Sequence, residues 1–121
     1  MLKLVEQPLQ KRMANVCAVA SAHAGKVDAE ARFPFETLAA LKQERLLGVL
    51  VPQDLGGAGS GLDEVADICR MLGQACASSG MIYAMHMIKL HNLVVGGAAS
   101  PWHRGLMERV AREQLLIGSA T

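Results

Sequence analysis

Leu62-Asp63-Glu64-Val65-Ala66-Asp67-Ile68-Cys69-Arg70-Met71-Leu72-Gly73-Gln74-Ala75-Cys76 is the stretch that decides the fold. Leu62, Val65, Ala66, Cys69, Leu72, Gly73 and Cys76 recur at i, i+3, i+4, i+7, the period of one helix face. Asp63, Glu64, Asp67 and Arg70 take the other faces. Ser60 stands as an N-cap, with Asp63 three residues on in the capping-box position.

Downstream, Ser78-Ser79-Gly80 reads as a break and a recap. Residues 81–95 are apolar nearly all round, the pattern of a helix enclosed by neighbours. Gly96-Gly97 stops it. Ser100-Pro101 pairs an N-cap with proline at the first helical position. The helix that follows, to about residue 113, carries Leu106, Val110 and Ala111 on one side and Glu108, Arg109 and Arg112 on the other. Residues 115–121 read as an extended segment that has just begun. Upstream, Pro8 opens a helix with Leu9, Met13, Val16, Cys17 and Ala20 at helical spacing, ended by Gly25. Pro34 opens another, to about Leu47, with Gly48 as its stop. Val49-Leu50-Val51-Pro52 reads as a short extended link. Residues 53–61 are a loop rich in glycine. The expectation is an all-α, up-and-down bundle of five helices, with one strand whose sheet is missing.

A chain of 121 residues is one domain's worth. Apolar residues are 51% of it, which excludes disorder by composition. Twelve basic residues against eleven acidic ones leave a net charge of +1, spread along the chain. Nucleic acid and anionic membranes, which need a concentrated basic patch, are therefore excluded as partners. The aromatics, Phe33, Phe35, Tyr83 and Trp102, are too few for a base-stacking platform. Cys17, Cys69 and Cys76 form no C-x-x-C pair and no even set, against a disulfide framework or structural zinc. Lys3, Glu6, Lys11 and Arg12 interrupt any signal peptide, so a cytoplasmic location is expected. His86, Lys89, His91 and Asn92 within the most apolar segment argue against a membrane span.

Gly56-Gly57-Ala58-Gly59-Ser60-Gly61 precedes a helix and invites a phosphate-cradle reading. It lacks the G-x-G-x-x-G spacing, because Leu62 stands where the third glycine is needed, and no Gly-Lys-Ser/Thr follows. A tight turn between helices is the better reading. His86 and His91 are five apart, which puts them on different faces and disfavours a metal site. At about 100° per residue, Ile82, Tyr83, His86 and Leu90 share one arc of their helix. That arc is either core with satisfied polar tips or the wall of a pocket for a mostly apolar ligand. No set of residues for nucleophilic or acid–base catalysis can be assembled.

Three stretches taken in order resemble one family. They are Phe33-Pro34-Phe35-Glu36 through Leu46-Leu47-Gly48-Val49-Leu50-Val51-Pro52-Gln53-Asp54-Leu55-Gly56-Gly57-Ala58-Gly59, then Ala77-Ser78-Ser79-Gly80-Met81-Ile82-Tyr83-Ala84-Met85-His86, then Glu113-Gln114-Leu115-Leu116-Ile117-Gly118-Ser119-Ala120-Thr121. Together they resemble the helical N-terminal domain of acyl-CoA dehydrogenases, over about residues 30–121, with residues 8–25 as its first helix. The resemblance implies that residues 1–121 are that domain, and that an FAD-binding β-domain and a C-terminal helical bundle belong to the intact enzyme. It implies an FAD-dependent oxidoreductase that dehydrogenates an acyl-CoA thioester, a homo-oligomer of dimeric or tetrameric form. The catalytic base and most of the FAD site would lie in the other domains, so no catalytic residue falls here. Ile82, Tyr83, His86 and Leu90 would face the acyl pocket, and Ser119 and Thr121 would edge the FAD site. Two rivals stand beside this: a flavin-dependent monooxygenase of the same fold, and a free-standing helical interaction module.

Overall fold

The computed structural model describes residues 8–97 and 100–118. Five α-helices make up the described fold: α1 (Leu9–Glu30), α2 (Phe35–Gln43), α3 (Leu62–Ala75), α4 (Ala77–Gly96) and α5 (Pro101–Glu113). A single 3-10 turn, Gln53–Leu55, interrupts the long connection between α2 and α3. The helices α1, α3 and α4 pack in sequence, with α2 against α1 and α5 against α4. The all-α expectation holds. There is no strand among the described residues: 115–118 take no regular structure, and 49–51 are folded into turns.

Several helix boundaries differ from those the sequence suggests. Helix α1 runs through Gly25, whose α-carbon faces open space. An exposed glycine costs a helix only about 1 kcal/mol against alanine. Val27, buried two residues on, offsets it. Ser78-Ser79-Gly80 lies inside α4 rather than breaking it, because Cys76 already forms the extended junction with α3. Ser60 is not the cap of α3; Gly61 holds that place, without a side-chain bond. The inward stripe of α3 is Val65, Ile68, Leu72 and Cys76, and Leu62 and Ala66 point outward.

Three helices end on left-handed residues that are not glycine. Ala31, Arg45 and Gln114 stand in the left-handed region, at φ 49°, 56° and 53°. After Ala31 and Arg45 the chain closes with paired bonds to carbonyls five and three residues back, the Schellman pattern. A side chain in that region costs about 1–2 kcal/mol, so at each site the surroundings must supply the difference.

Helix α4 is not enclosed by the described residues. Its inward side carries Tyr83, His86, Met87 and Leu90, all buried. Its outward side carries Met81, Met85, Ile88 and Val95, all exposed. No helix among the described residues is long and apolar enough to cross a membrane.

Candidate functional site

Past the end of α2, where Arg45 turns into the left-handed region, the chain dives into the core. Leu46, Leu47, Val49, Leu50 and Val51 are all buried without a helix or ladder to satisfy their backbone groups. Buried amides and carbonyls require partners. The inward arc of α4 supplies two. The Tyr83 hydroxyl donates to the Leu46 carbonyl at 2.8 Å, and His86 Nε2 meets the Leu47 carbonyl at 2.7 Å. The residue that ends α5 supplies another: the Leu47 amide donates to Gln114 Oε1 at 3.0 Å.

His86 makes a second bond, accepting from the Ile117 amide on Nδ1 at 3.0 Å. Its partners assign the tautomer. Nδ1 faces a donor and must be bare, so Nε2 bears the hydrogen and donates to Leu47. Burial pushes the His86 pKa below its ordinary value, opposed by the bond to the Leu47 carbonyl. Burial likewise pushes the Tyr83 phenol up, so it stays protonated and can donate. The two rings lie 6.5 Å apart, tilted by 40°.

The structure thus brings Tyr83, His86 and Leu90 together on one buried face, with no exposed surface on any of them. Ile82, at the edge of the arc, is half-buried. Both polar tips bond within the protein. Ser119 and Thr121 lie outside the described residues. The partners Leu46, Leu47, Gln114 and Ile117 escaped the sequence reading. Backbone acceptors leave no trace in residue type, and Gln114 sits beyond the periodic part of its helix.

The glycine loop is not a phosphate cradle. The amides of Gly59 and Ser60 donate back to the carbonyls of Val51 and Val49, at 2.9 and 2.8 Å. A side chain at Gly57 would collide with the Val51 carbonyl, so glycine is needed there for close backbone packing. Beside the loop, Arg12 donates to the Glu44 carbonyl through Nε and Nη2, at 3.0 and 2.6 Å. Arg45 Nη2 donates to the Ala111 carbonyl at 2.7 Å. The two guanidiniums therefore cap the C-termini of α2 and α5. The cleft they border with Gly56, Gly57 and Ala58 holds about 70 Å³. Ligand pockets run to about 300–1,000 Å³, so this cleft does not fit a dinucleotide.

A groove between α3 and α4 is larger, about 330 Å³, and lined by Leu62, Val65, Cys69, Met87, Ile88 and His91 among others. Its walls are almost wholly apolar. Cys69 is half-buried, and burial raises its thiol pKa, so the thiol stays protonated and is a weak nucleophile. His103 turns an unpartnered Nδ1 inward. No group of three potential metal ligands converges among the described residues.

Comparison with known proteins extends the picture. The family model described as "Acyl-CoA dehydrogenase, N-terminal domain" matches residues 6–100. The chain is similar to the 3-sulfinopropanoyl-CoA desulfinase of Paraburkholderia xenovorans (strain LB400), 31% identical over 96 residues, or 79% of this chain and 24% of that protein. It is similar to the probable acyl-CoA dehydrogenase YngJ of Bacillus subtilis (strain 168), 34% identical over 62 residues, 51% of this chain and 16% of that protein. It is also similar to the probable acyl-CoA dehydrogenase FadE25 of Mycobacterium tuberculosis (strain ATCC 25618 / H37Rv), 30% identical, covering 63% of this chain and 20% of that protein. The chain therefore spans about a quarter or less of these relatives. No solved structure matches it. A family model that covers most of the chain, on a helical fold of the expected kind, leaves one conclusion: this chain belongs to the acyl-CoA dehydrogenase family, as its N-terminal domain.

Proposed function

We propose that the chain supplies part of the acyl-pocket wall in an FAD-dependent oxidoreductase acting on a short acyl-CoA thioester. Half-buried Ile82 stands at the edge of that wall on α4, the buried Tyr83, His86 and Leu90 brace it from behind, and Ser119 and Thr121 edge the flavin site. The protein is a soluble homo-oligomer of the cytoplasm. When bound, the flavin is the hydride acceptor; the proton acceptor belongs to parts of the enzyme other than this domain.

The observation that carries the reading is the filling of the α4 arc by its own polar tips. A long straight acyl chain needs a smooth apolar channel. Here Tyr83 and His86 occupy the space between α4 and residues 46–47 and spend their bonds there. A wall braced in this way has no polar tip to spare for the substrate and no room to deepen, which is why the proposal takes short acyl groups. The name of one relative carries a propanoyl group, which agrees. That relative is named a desulfinase, so the fold admits more than one reaction.

The test is purification of the protein that carries this domain, an absorbance spectrum for flavin, and kcat/KM over an acyl-CoA chain-length series. Bound flavin with a maximum at short chains supports the proposal. A maximum at long chains overturns the substrate class. Flavin with oxygen-dependent hydroxylation, and no dehydrogenation, would favour a monooxygenase. Absence of flavin would favour an interaction module.

A further inference from the structure

A chain leaving a helix without entering a strand has no ladder to set its direction. Residues 115–118 are in that position, yet Leu115, Leu116 and Ile117 are half-buried against the core. The amide of Leu115 returns to the Val110 carbonyl at 3.4 Å, which is the closure of α5 itself. The Ile117 amide instead crosses to α4 and donates to His86 Nδ1. On its far side, the same ring grips the Leu47 carbonyl. One imidazole thus ties α4 to two irregular segments, 46–51 and 115–118.

We infer that His86 is a positioning residue whose neutral ring fixes the path of the segment leaving α5, and that protonation of the ring releases it. The ring that accepts from Ile117 on Nδ1 is the neutral one. Protonated, Nδ1 becomes a donor aimed at the donor of Ile117, and the bond turns into a repulsion. The Leu47 bond survives, because Nε2 donates in both forms. The release is therefore one-sided: α4 keeps its hold on residues 46–47 and loses it on residues 115–118.

The surroundings offer the cation little. On α4 the neighbour is the protonated Tyr83. Helix α3 contributes the Cys69 thiol, held protonated by burial. Helix α5 contributes the neutral amide of Gln114, and residues 115–118 carry no titratable side chain. Arg12 from α1, whose charge reaches the neighbouring Tyr83, offers a cation no compensation. That the released segment leads to Ser119 and Thr121 at a flavin edge rests on the function proposed above. The clamp itself does not, and it is tested without flavin.

The experiment is residue-resolved amide exchange on the 121-residue protein, expressed as protection relative to intrinsic rates, from neutral pH down through the titration of the His86 ring. Protection of Ile117 should fall about tenfold, the worth of one ordinary hydrogen bond, in step with that titration. Leu90 and Val110 should stay protected. His86→Gln keeps a donor and an acceptor but cannot titrate, so Ile117 should then be protected independently of pH. Loss of Ile117 protection out of step with the ring, or an unchanged pH dependence in His86→Gln, overturns the inference. A measurement on the unaltered protein covers a variant that fails to fold. Ring ¹⁵N shifts at neutral pH should show Nε2 protonated and Nδ1 bare, and the opposite tautomer overturns it.

Discussion

Arg45 and Gln114 secure each other's helices. Arg45, just past the end of α2, donates from Nη2 to the Ala111 carbonyl of α5 at 2.7 Å. Gln114, just past the end of α5, accepts from the Leu47 amide at 3.0 Å and donates to the same Ala111 carbonyl at 2.8 Å. Both residues stand on left-handed backbone. The side-chain bonds offset the backbone cost, and this makes the sign of a substitution predictable. Gln114→Gly relieves about 1 kcal/mol of strain but strands the buried Leu47 amide, which costs about 1–3 kcal/mol. The net expectation is destabilisation. Ala31→Gly relieves the same strain at an exposed position and strands nothing, so it should stabilise by up to about 1 kcal/mol. Chemical denaturation of the two variants should move the midpoints in opposite directions.

Tyr83→Phe tests whether the hydroxyl serves the fold. Its hydrogen goes to the Leu46 carbonyl, and neither residue has exposed surface. Phenylalanine fills nearly the same volume, so the loss is that of the bond and of the carbonyl's partner. We expect destabilisation by about 1–3 kcal/mol, a fall in Tm of about 4 °C for each kcal/mol. An unchanged Tm would show that the carbonyl finds another donor and that the phenol is free for other work.

The helical character was legible because period and capping agree over long stretches. Helix α5 shows this: Ser100-Pro101 opens it and the described helix ends at Glu113, as the pattern suggests. Boundaries failed where tertiary contacts overrode a local signal. Gly25 reads as a stop, yet Val27 finds the core and draws the helix on. Arg45 reads as helical, yet Leu46 and Leu47 are buried only if the chain turns there. The arc of Ile82, Tyr83, His86 and Leu90 followed from 100° per residue. What its polar tips would touch did not, because their acceptors are backbone carbonyls in a segment that the pattern read as extended.

Glu36 should titrate far below an ordinary carboxylate. Arg32 holds it with two parallel bonds, at 2.7 and 3.0 Å, and also reaches Glu30 at 2.8 Å. The bonds from Arg32 come first among the causes that bring the Glu36 pKa from 4.5 to about 2. A carboxylate lowered in the folded state stabilises it above the unfolded pKa, and that contribution fades as pH falls toward the folded value. The window here lies between 4.5 and about 2. Carboxyl ¹³C titration should give Glu36 a midpoint near the lower figure. Arg32→Gln should raise it toward 4.5 without reaching it, because the backbone bond to the Glu36 carboxylate and the charge of His23 still lower it, and should remove the corresponding part of the acid dependence of stability. A midpoint that ignores the substitution would mean that the pair does not persist in solution.

The crossing of α3 and α4 should tolerate no added methyl at its centre. A β-carbon on Gly80 would lie 2.5 Å from the Gly73 α-carbon and 2.8 Å from its amide nitrogen. Both are backbone atoms, so no side chain can swing aside and the helices themselves must separate. Their separation would disturb the shared core around Leu72 and Tyr83, on which the α4 arc depends. Overpacking of this kind costs about 1–3 kcal/mol, against less than about 1 kcal/mol gained from replacing a helical glycine by alanine. Gly80→Ala should therefore be destabilising on balance. Gly25→Ala is the control, since nothing lies within 4 Å of its added carbon. There the propensity gain stands alone, and stability should rise by up to about 1 kcal/mol. Equilibrium denaturation of both variants decides the matter: if Gly80→Ala gains stability as Gly25→Ala does, the helices cross with more room than this contact implies.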